Sequence, residues 1–330
     1  MSRTKLVLIA ALFVLAGLPA RSFAVTNAVV GRCKSGTQFT TIQAAVNAAS
    51  VGSVVQVCPG SYPEQVVIQQ ALTLKAISAG NSSVVTITQP SGGVQANATS
   101  GIWGSLAAQL LIQGANVTVN GISIDGTSST CSSPNAWVGV LYQAAGGLLT
   151  NSTVANAPQC FKGISAFADA TTNLTFSNNA ITGCSSECIE VDYATKTTIT
   201  SNTIVSTGSL ANGIELLNLD GPATVSNNSL SGLGEALIFK NGTGGIITGN
   251  TVVACALGIS LTQVTQTRVQ SNRIAEPLEG LRIIDAPGVA GGNTVTKNTV
   301  LGAQLGLGIA KSTGDVTSPN TIVGSTVVLY

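Results

Sequence analysis

Histidine is absent from all 330 residues, and the one methionine is Met1. Without imidazole the chain lacks the usual general base near neutral pH and the commonest transition-metal ligand. Charge is scarce too: 8% of residues are charged, against roughly a quarter in ordinary globular chains. Fourteen Lys and Arg oppose thirteen Asp and Glu, with no basic run of the kind that tracks nucleic acid. Aromatic residues are 4% of the chain. Long apolar runs are missing from everything beyond the first two dozen residues. A chain 44% hydrophobic yet free of such runs points to strands whose wet face carries Ser, Thr and Asn, and not to helices coated in Lys and Glu.

Residues 1–24 differ. Arg3 and Lys5 precede an apolar stretch from Leu6 to Leu18, too short to cross a bilayer comfortably, and Ser22-Phe23-Ala24 offers small residues at the positions signal peptidase reads. We therefore expect 1–24 to be a signal peptide and 25–330 to be one secreted, periplasmic or cell-surface domain with no transmembrane segment. Removing Arg3, Lys5 and Arg21 takes fourteen basic residues to eleven against thirteen acidic, a net charge of −2. All seven Cys lie beyond the leader, where disulfides are permitted. Cys33 and Cys58 flank one unit, Cys184 and Cys188 sit four apart in a turn, and Cys131 is set against Cys160. Cys255 remains, in an apolar stretch suited to packing inside. A metal site on these thiols is the alternative, weakened by the lack of His.

A repeat dominates the rest. Asn151, Asn179, Asn202, Asn228, Asn250, Asn272, Asn298 and Asn320 recur at spacings of 28, 23, 26, 22, 22, 26 and 22, and from Asn179 on each is followed two residues later by Ile, Leu or Val. The unit is thus about 22 residues with short insertions. Three residues before these Asn run Leu148, Phe176, Ile199, Val225, Ile247, Val269 and Val295, until Thr317 interrupts. Some 13 residues before most of them comes an apolar–x–apolar pair: Val138/Val140, Ile164/Ala166, Ile189/Val191, Ile214/Leu216, Leu237/Phe239, Ile259/Leu261, Leu281/Ile283 and Leu307/Ile309. Period-two alternation makes each pair a strand, and one such unit buries its apolar side only by stacking on its neighbours.

Repeats of this length with Asn at a turn resemble the right-handed parallel β-helix of the pectin-lyase-like superfamily, over roughly 100–330. The resemblance implies an all-β solenoid, one coil per unit, with the Asn side chains stacked in a turn. Residues 25–100 are expected to form the N-terminal cap and first coils, and 101–330 the regular coils. Thr40-Thr41-Ile42-Gln43 reads as a capping box opening a short capping helix with an apolar face of Ile42, Ala45, Val46 and Ala49. Strands are expected at Val54–Cys58, Val66–Ile68, Leu72–Ile77 and Val84–Ile87. The stretch from Phe39 to Lys75 resembles the opening of pectinesterases and of the NosD group. At the far end Val327-Val328-Leu329-Tyr330 is an apolar strand without an obvious cap, which leaves self-association open.

Residues between and after each inward pair must point outward. They form two columns: Gly139, Ser165, Glu190, Glu215, Ile238, Ser260, Arg282, Gly308, and Leu141, Phe167, Asp192, Leu217, Lys240, Thr262, Ile284, Ala310. A third, two residues ahead of the pair, runs Lys162, Glu187, Asn212, Glu235, Leu257, Glu279. Coils lie ~4.8 Å apart, so Glu190 and Glu215 become neighbours. Such a pair suits glycoside hydrolysis with retention. The alternative is β-elimination from a uronate, with Ca2+ on Glu190, Asp192 and Glu215 and with Lys240, or Arg282, as base. Glu187, Asp192, Phe167, Tyr193 and Arg282 are the expected substrate contacts, and Trp137 is set against loops.

The superfamily's active-site motifs are missing: there is no Asp-Phe pair of pectinesterases, and no Asn-Thr-Asp, Asp-Asp or Gly-His-Gly of polygalacturonases. Copper handling, which the NosD resemblance implies, would rest on Cys alone. Two classes stay open. One is an exported β-helix that binds extracellular polysaccharide of uronate type along this face and cleaves it as a lyase or glycoside hydrolase. The other is a non-catalytic structural or adhesive solenoid.

Overall fold

The computed structural model describes residues 25–78, 84–127, 136–157, 163–206, 211–285, 291–310, 314–324 and 326–329. The expected leader, Lys162 and the Cys131–Cys160 pair fall outside them. Among the described residues the chain winds into a parallel β-helix of three sheets, with twelve, eleven and twelve strands in coil order. We call them sheets I, II and III; sheet III carries the apolar pairs. All neighbouring strands along the three stacks run parallel, and one short antiparallel strand, Ala98–Ser100, lies off the path.

The core follows from stacking. On sheet I, Leu74, Val119, Leu149, Phe176, Ile199, Val225, Ile247, Val269 and Val295 lie in register and are buried. Each such side chain contributes roughly 1.5–3 kcal/mol by leaving water. Hydroxyls occupy the outer positions between them and bond from coil to coil, as in Ser177 Oγ to Thr150 Oγ1 at 3.1 Å. That wet hydroxyl surface explains how the chain manages with so little charge.

The turn between sheets I and II carries the asparagine stack. Asn202 shows its pattern. Its backbone N–H and its Nδ2 both donate to Asn228 Oδ1, at 2.9 and 3.0 Å, while Nδ2 also donates to the Phe176 carbonyl at 3.0 Å. The same links join Asn179, Asn228, Asn250, Asn272, Asn298 and Asn320, although Asn320 is only half-buried. Asn151 is not in the stack. It is exposed at φ 50°, and Ser152 takes the ladder position, with its N–H donating to Asn179 Oδ1. The residue before each ladder Asn from Asn179 to Asn298 is left-handed, as at Asn178, Ser201 and Asn227, and Asn tolerates that conformation well. An Asn in the wrong one of two adjacent slots therefore mimics the repeat. For the same reason Leu149, not Leu148, occupies the core column.

Two apolar pairs also sit two residues off. Val140/Tyr142 and Ala166/Ala168 align with Ile189/Val191, in place of Val138/Val140 and Ile164/Ala166. Ala166 and Ala168 are small and bring little hydrophobic signal, while bulky Phe167 between them faces outward. The glycine that precedes several pairs is steric: a Cβ on Gly213 would lie 2.4 Å from the Ala236 carbonyl oxygen, and one on Gly258 2.4 Å from that of Gly280.

At the N-terminal end a helix, Ile42–Ala48, buries Ile42, Ala45 and Val46 against the first coils, and Ala49 is buried beyond it. Its cap differs from the expected box. Thr41 is the N-cap, accepting from Ala44 N–H, and the Glu64 carboxylate receives the Ile42 and Gln43 N–H groups at 2.8 and 2.9 Å. A distant carboxylate thus answers the free amides that Gln43 was expected to help satisfy. Cys33–Cys58 and Cys184–Cys188 form disulfides, and Cys255 is a buried free thiol, as expected. No helix among the described residues is long and apolar enough to cross a membrane.

Replacing Asn228 by Ala strands the Asn202 N–H and the Ile199 carbonyl in the interior. The expected cost is about 2–4 kcal/mol, read as a lower urea midpoint with unchanged slope. A loss below about 0.5 kcal/mol would show that the stack is not structural.

Candidate active site

Strands Gly163–Asp169, Glu187–Asp192, Asn212–Leu217 and Glu235–Thr243 lie side by side on sheet III. Their register aligns Phe167, Glu190, Glu215 and Ile238 in one outward column, and Asp169, Asp192, Leu217 and Lys240 in the next. Glu190 and Glu215 are direct neighbours, as the repeat spacing predicts. Glu187 joins them because its strand is kinked: Cys188 and Ile189 both enter the core, so Glu187 and Glu190 flank two successive inward residues. The Cys184–Cys188 disulfide tethers the strand at this kink.

This face is closed where open solvent was expected. Glu190 is 1% exposed, Asp192 0%, and Glu187 and Glu215 7% each. The reason lies in an insertion before the regular coils. Ala98–Ser100 pairs with the start of Gly104–Ile112 as a hairpin, whose tip carries Ile102 and Trp103. Leu106, Leu111, Val138, Leu141 and Phe167 form an apolar cluster separate from the main core, with Ala98 and Trp103 packed on it. The Trp103 indole N–H donates to both Glu190 oxygens, each at 2.8 Å. Phe167, expected as a sugar platform, is therefore wholly buried and unable to stack on a ligand. Trp137 lies in the interior, while Tyr193 is 47% exposed in the turn that follows Asp192.

Each acid has its own partners. Glu215 accepts from Lys240 Nζ at 3.1 Å and from Asn212 Nδ2 at 3.0 Å. Asp192 accepts from Asn218 Nδ2 at 3.1 Å, and Asn218 is itself held by Asn241. Glu187 receives the Ser186 hydroxyl at 3.4 Å. Its Oε2, like Asp192 Oδ2, is buried without a hydrogen bond. Burial pushes Glu190 up to about 8 although the Trp103 indole favours its charged form; Glu215 and Asp192 add to the rise. Glu187 rises through burial first and then through the nearby Glu215 and Glu190 charges. Asp192 reaches about 6, raised by burial and by Asp169 against the opposing Asn218 bond. Burial thus favours the protonated form of Glu190 at neutral pH, while its neighbour Glu215 is ion-paired with Lys240.

Arg282 stands apart, two strands beyond Ile238, between Glu279 at 3.3 Å and Glu235 at 3.5 Å and near Ser260 Oγ. It does not join the acid group. The expected calcium set is not assembled either. Among the described residues no group of three or more Asp, Glu or Cys is placed to hold a metal ion, and both Glu190 oxygens face the indole. Two residues of the site are not signalled by the repeat. Asp169 was hidden by the two-residue slip at Ile164/Ala166, and Trp103 lies in a non-repeating insertion.

The architecture defines a right-handed parallel β-helix protein with the pectin-lyase-like fold. Residues 74–230 match the family described as right handed beta helix region, and residues 208–329 match periplasmic copper-binding protein (NosD). Among solved structures, the C387A mutant of DFA-IIIase from Arthrobacter chlorophenolicus A6 is 16% identical, with TM-score 0.61 over 92% of this chain and 85% of that one. The polygalacturonase of Erwinia carotovora ssp. carotovora is 12% identical, with TM-score 0.57 over 93% and 96%. The GH136 lacto-N-biosidase of Eubacterium ramulus is 10% identical, with TM-score 0.54 over 91% and 68%. No curated protein matches the chain by sequence. Copper does not fit the residues present: 208–329 holds neither His nor Met, and its one thiol, Cys255, is buried with its proton held by burial.

The raised carboxyls predict an unusual pH profile. Glu190 titrates near 4.5 when unfolded and near 8 when folded, so its stabilising contribution is full below about 4.5 and is lost as pH rises through about 8. Glu187 acts in the same direction. Thermal melts should fall from pH 5 to pH 9, and Glu190→Gln should flatten that slope and raise Tm at the alkaline end. A wild-type Tm that climbs over this window would refute the assignment.

Proposed function

We propose that this chain is an exported carbohydrate-active β-helix whose outer sheet III face binds a glycan and hydrolyses a glycosidic bond. The observation that carries the reading is the pairing of a protonated Glu190 with an ion-paired Glu215 on adjacent strands. A carboxyl held toward its protonated form by burial, beside a carboxylate paired with a lysine, suits an acid and its partner. Adjacent strands set the two groups at about the ~5 Å separation of retaining glycosidases. Glu190 then protonates the leaving oxygen and Glu215 attacks the anomeric carbon. Water next displaces the sugar from Glu215, with Glu190 taking the proton back. Asp192 and Glu187 border this pair, Tyr193 is the aromatic ring left on the surface nearby, and Lys240 orients Glu215.

Hydrolysis is favoured over elimination from a uronate because the Lys240 ammonium is turned onto Glu215, 3.1 Å away, where the elimination route requires it as a base. Glycan access requires the Trp103 hairpin tip to lift from Glu190, and Ile102 at that tip is 45% exposed. Export is supported by the two disulfides, the leader-like residues 1–24 and the match to a periplasmic family. The similarity in fold to DFA-IIIase, a polygalacturonase and a lacto-N-biosidase supports carbohydrate as the ligand class. Calcium and self-association at the C-terminal strand stay outside this reading. The burial of the acids favours one rival, a solenoid in which they are purely structural.

The test is a panel of polygalacturonate, DFA-III and lacto-N-biosides, followed by reducing-end release and by NMR of the first-formed anomer. Wild type should release product with retained configuration. Glu190→Gln and Glu215→Gln should each lose about 10²-fold or more in kcat. Absence of binding and turnover across the panel, or full activity in Glu190→Gln, would leave the structural solenoid.

A further inference from the structure

A separate concavity lies on a different face. Where the outer sides of sheets I and II meet over the first coils, an open groove of about 990 Å3 is lined by Lys34, Lys75, Gln56, Asn120 and Asn151, with Ser123 and Thr153 on the sheet II side. None of its lining residues is acidic, although the described chain has carboxylates to spare on sheet III. Register places Gln56, Lys75 and Asn120 on three successive strands, so their side chains form a strip along the helix axis at intervals of ~4.8 Å.

The hydrogen bonds already made decide what this strip lacks. Lys34 Nζ donates to Gln56 Oε1 at 2.7 Å, and Asn151 Nδ2 donates to Asn120 Oδ1 at 3.1 Å. Each of these amide oxygens thus already accepts one bond, and the amide nitrogens of Gln56 and Asn120 are left to donate. The Lys75 side chain is exposed and makes no ion pair or hydrogen bond among the described residues. The groove therefore offers amide and hydroxyl groups together with two lysines, and no acid opposes them. Its occupant has to be rich in acceptors and negatively charged. Rungs at a regular interval suit a linear polymer with one acidic group per unit, and ammonium and amide donors suit carboxylates flanked by hydroxyls.

We propose that this groove is a second carbohydrate site, specific for acidic oligosaccharides, separate from the sheet III face and independent of any cleavage there. Lys75 and Lys34 contact the carboxylates, and Gln56, Asn120 and Asn151 contact the ring and hydroxyl oxygens. Because both cations are exposed, the attraction is screened by salt.

Calorimetric titration of the full chain with a short oligogalacturonate tests this, with a neutral oligosaccharide of the same length as control. Binding is expected for the acidic ligand alone and should weaken as salt is added. Lys75→Gln should weaken it by about tenfold or more, Lys34→Gln should weaken it too, and Glu190→Gln should leave it unchanged. No binding at low salt would overturn the proposal. So would equal affinity for the neutral ligand, or a loss confined to the Glu190→Gln variant. Turnover at Glu190 is measured separately, so either site can fail without the other.

Discussion

A strand in this protein cannot satisfy its backbone or bury its apolar side alone; both require the coil beneath it. The asparagine stack makes that dependence specific. From Asn202 to Asn298, each ladder amide takes the N–H and side chain of the preceding coil on its oxygen and returns its own hydrogens to a carbonyl and to the next coil. Moving one coil by a single residue would leave several buried polar groups unpaired at once, each worth about 1–3 kcal/mol. Register is therefore held by polar bonding in one turn, while apolar columns supply the bulk of the stabilisation. Once register is set, residues two dozen positions apart become neighbours without any local signal that they should.

The acid face is a consequence of that enforced alignment. Glu187, Glu190 and Glu215 would repel one another as charged groups; brought together and covered, Glu187 and Glu190 are pushed toward their protonated forms, and Lys240 pairs with Glu215. The cover itself is a hairpin outside the repeat. Its apolar underside extends the hydrophobic strip of Leu111, Leu141 and Phe167 up to the edge of the first carboxylate, where the indole N–H of Trp103 ends it. One outer face thus passes from dry and aliphatic to acidic within a single coil spacing. Activity, in this reading, depends on how readily that hairpin lifts.

Charge is distributed unevenly around the solenoid. Carboxyls collect on sheet III, while the groove between sheets I and II offers lysines and amide donors without an acid. In a chain with so few ionisable residues, this separation gives the two faces different ligand chemistries on one rigid frame. The low identity to structures sharing the fold is consistent with such a division, since the scaffold constrains the inward residues and leaves the outward ones free.

Much of this was readable from residue order. The repeat of about 22 residues, the inward pairs from Ile189/Val191 onward and the adjacency of Glu190 and Glu215 all follow from periodicity, because stacking converts a fixed spacing directly into contact. In the first regular coils the periodic pattern points one or two residues out. Asn151 suits a left-handed slot as well as a ladder slot, and Ala166 and Ala168 fill the core with too little bulk to announce it. Periodicity also says nothing of depth. That Phe167 is dry, that Glu190 keeps its proton and that Trp103 rests on it were decided only in three dimensions, since an inserted hairpin from another part of the chain removes the water that an outward position would otherwise have.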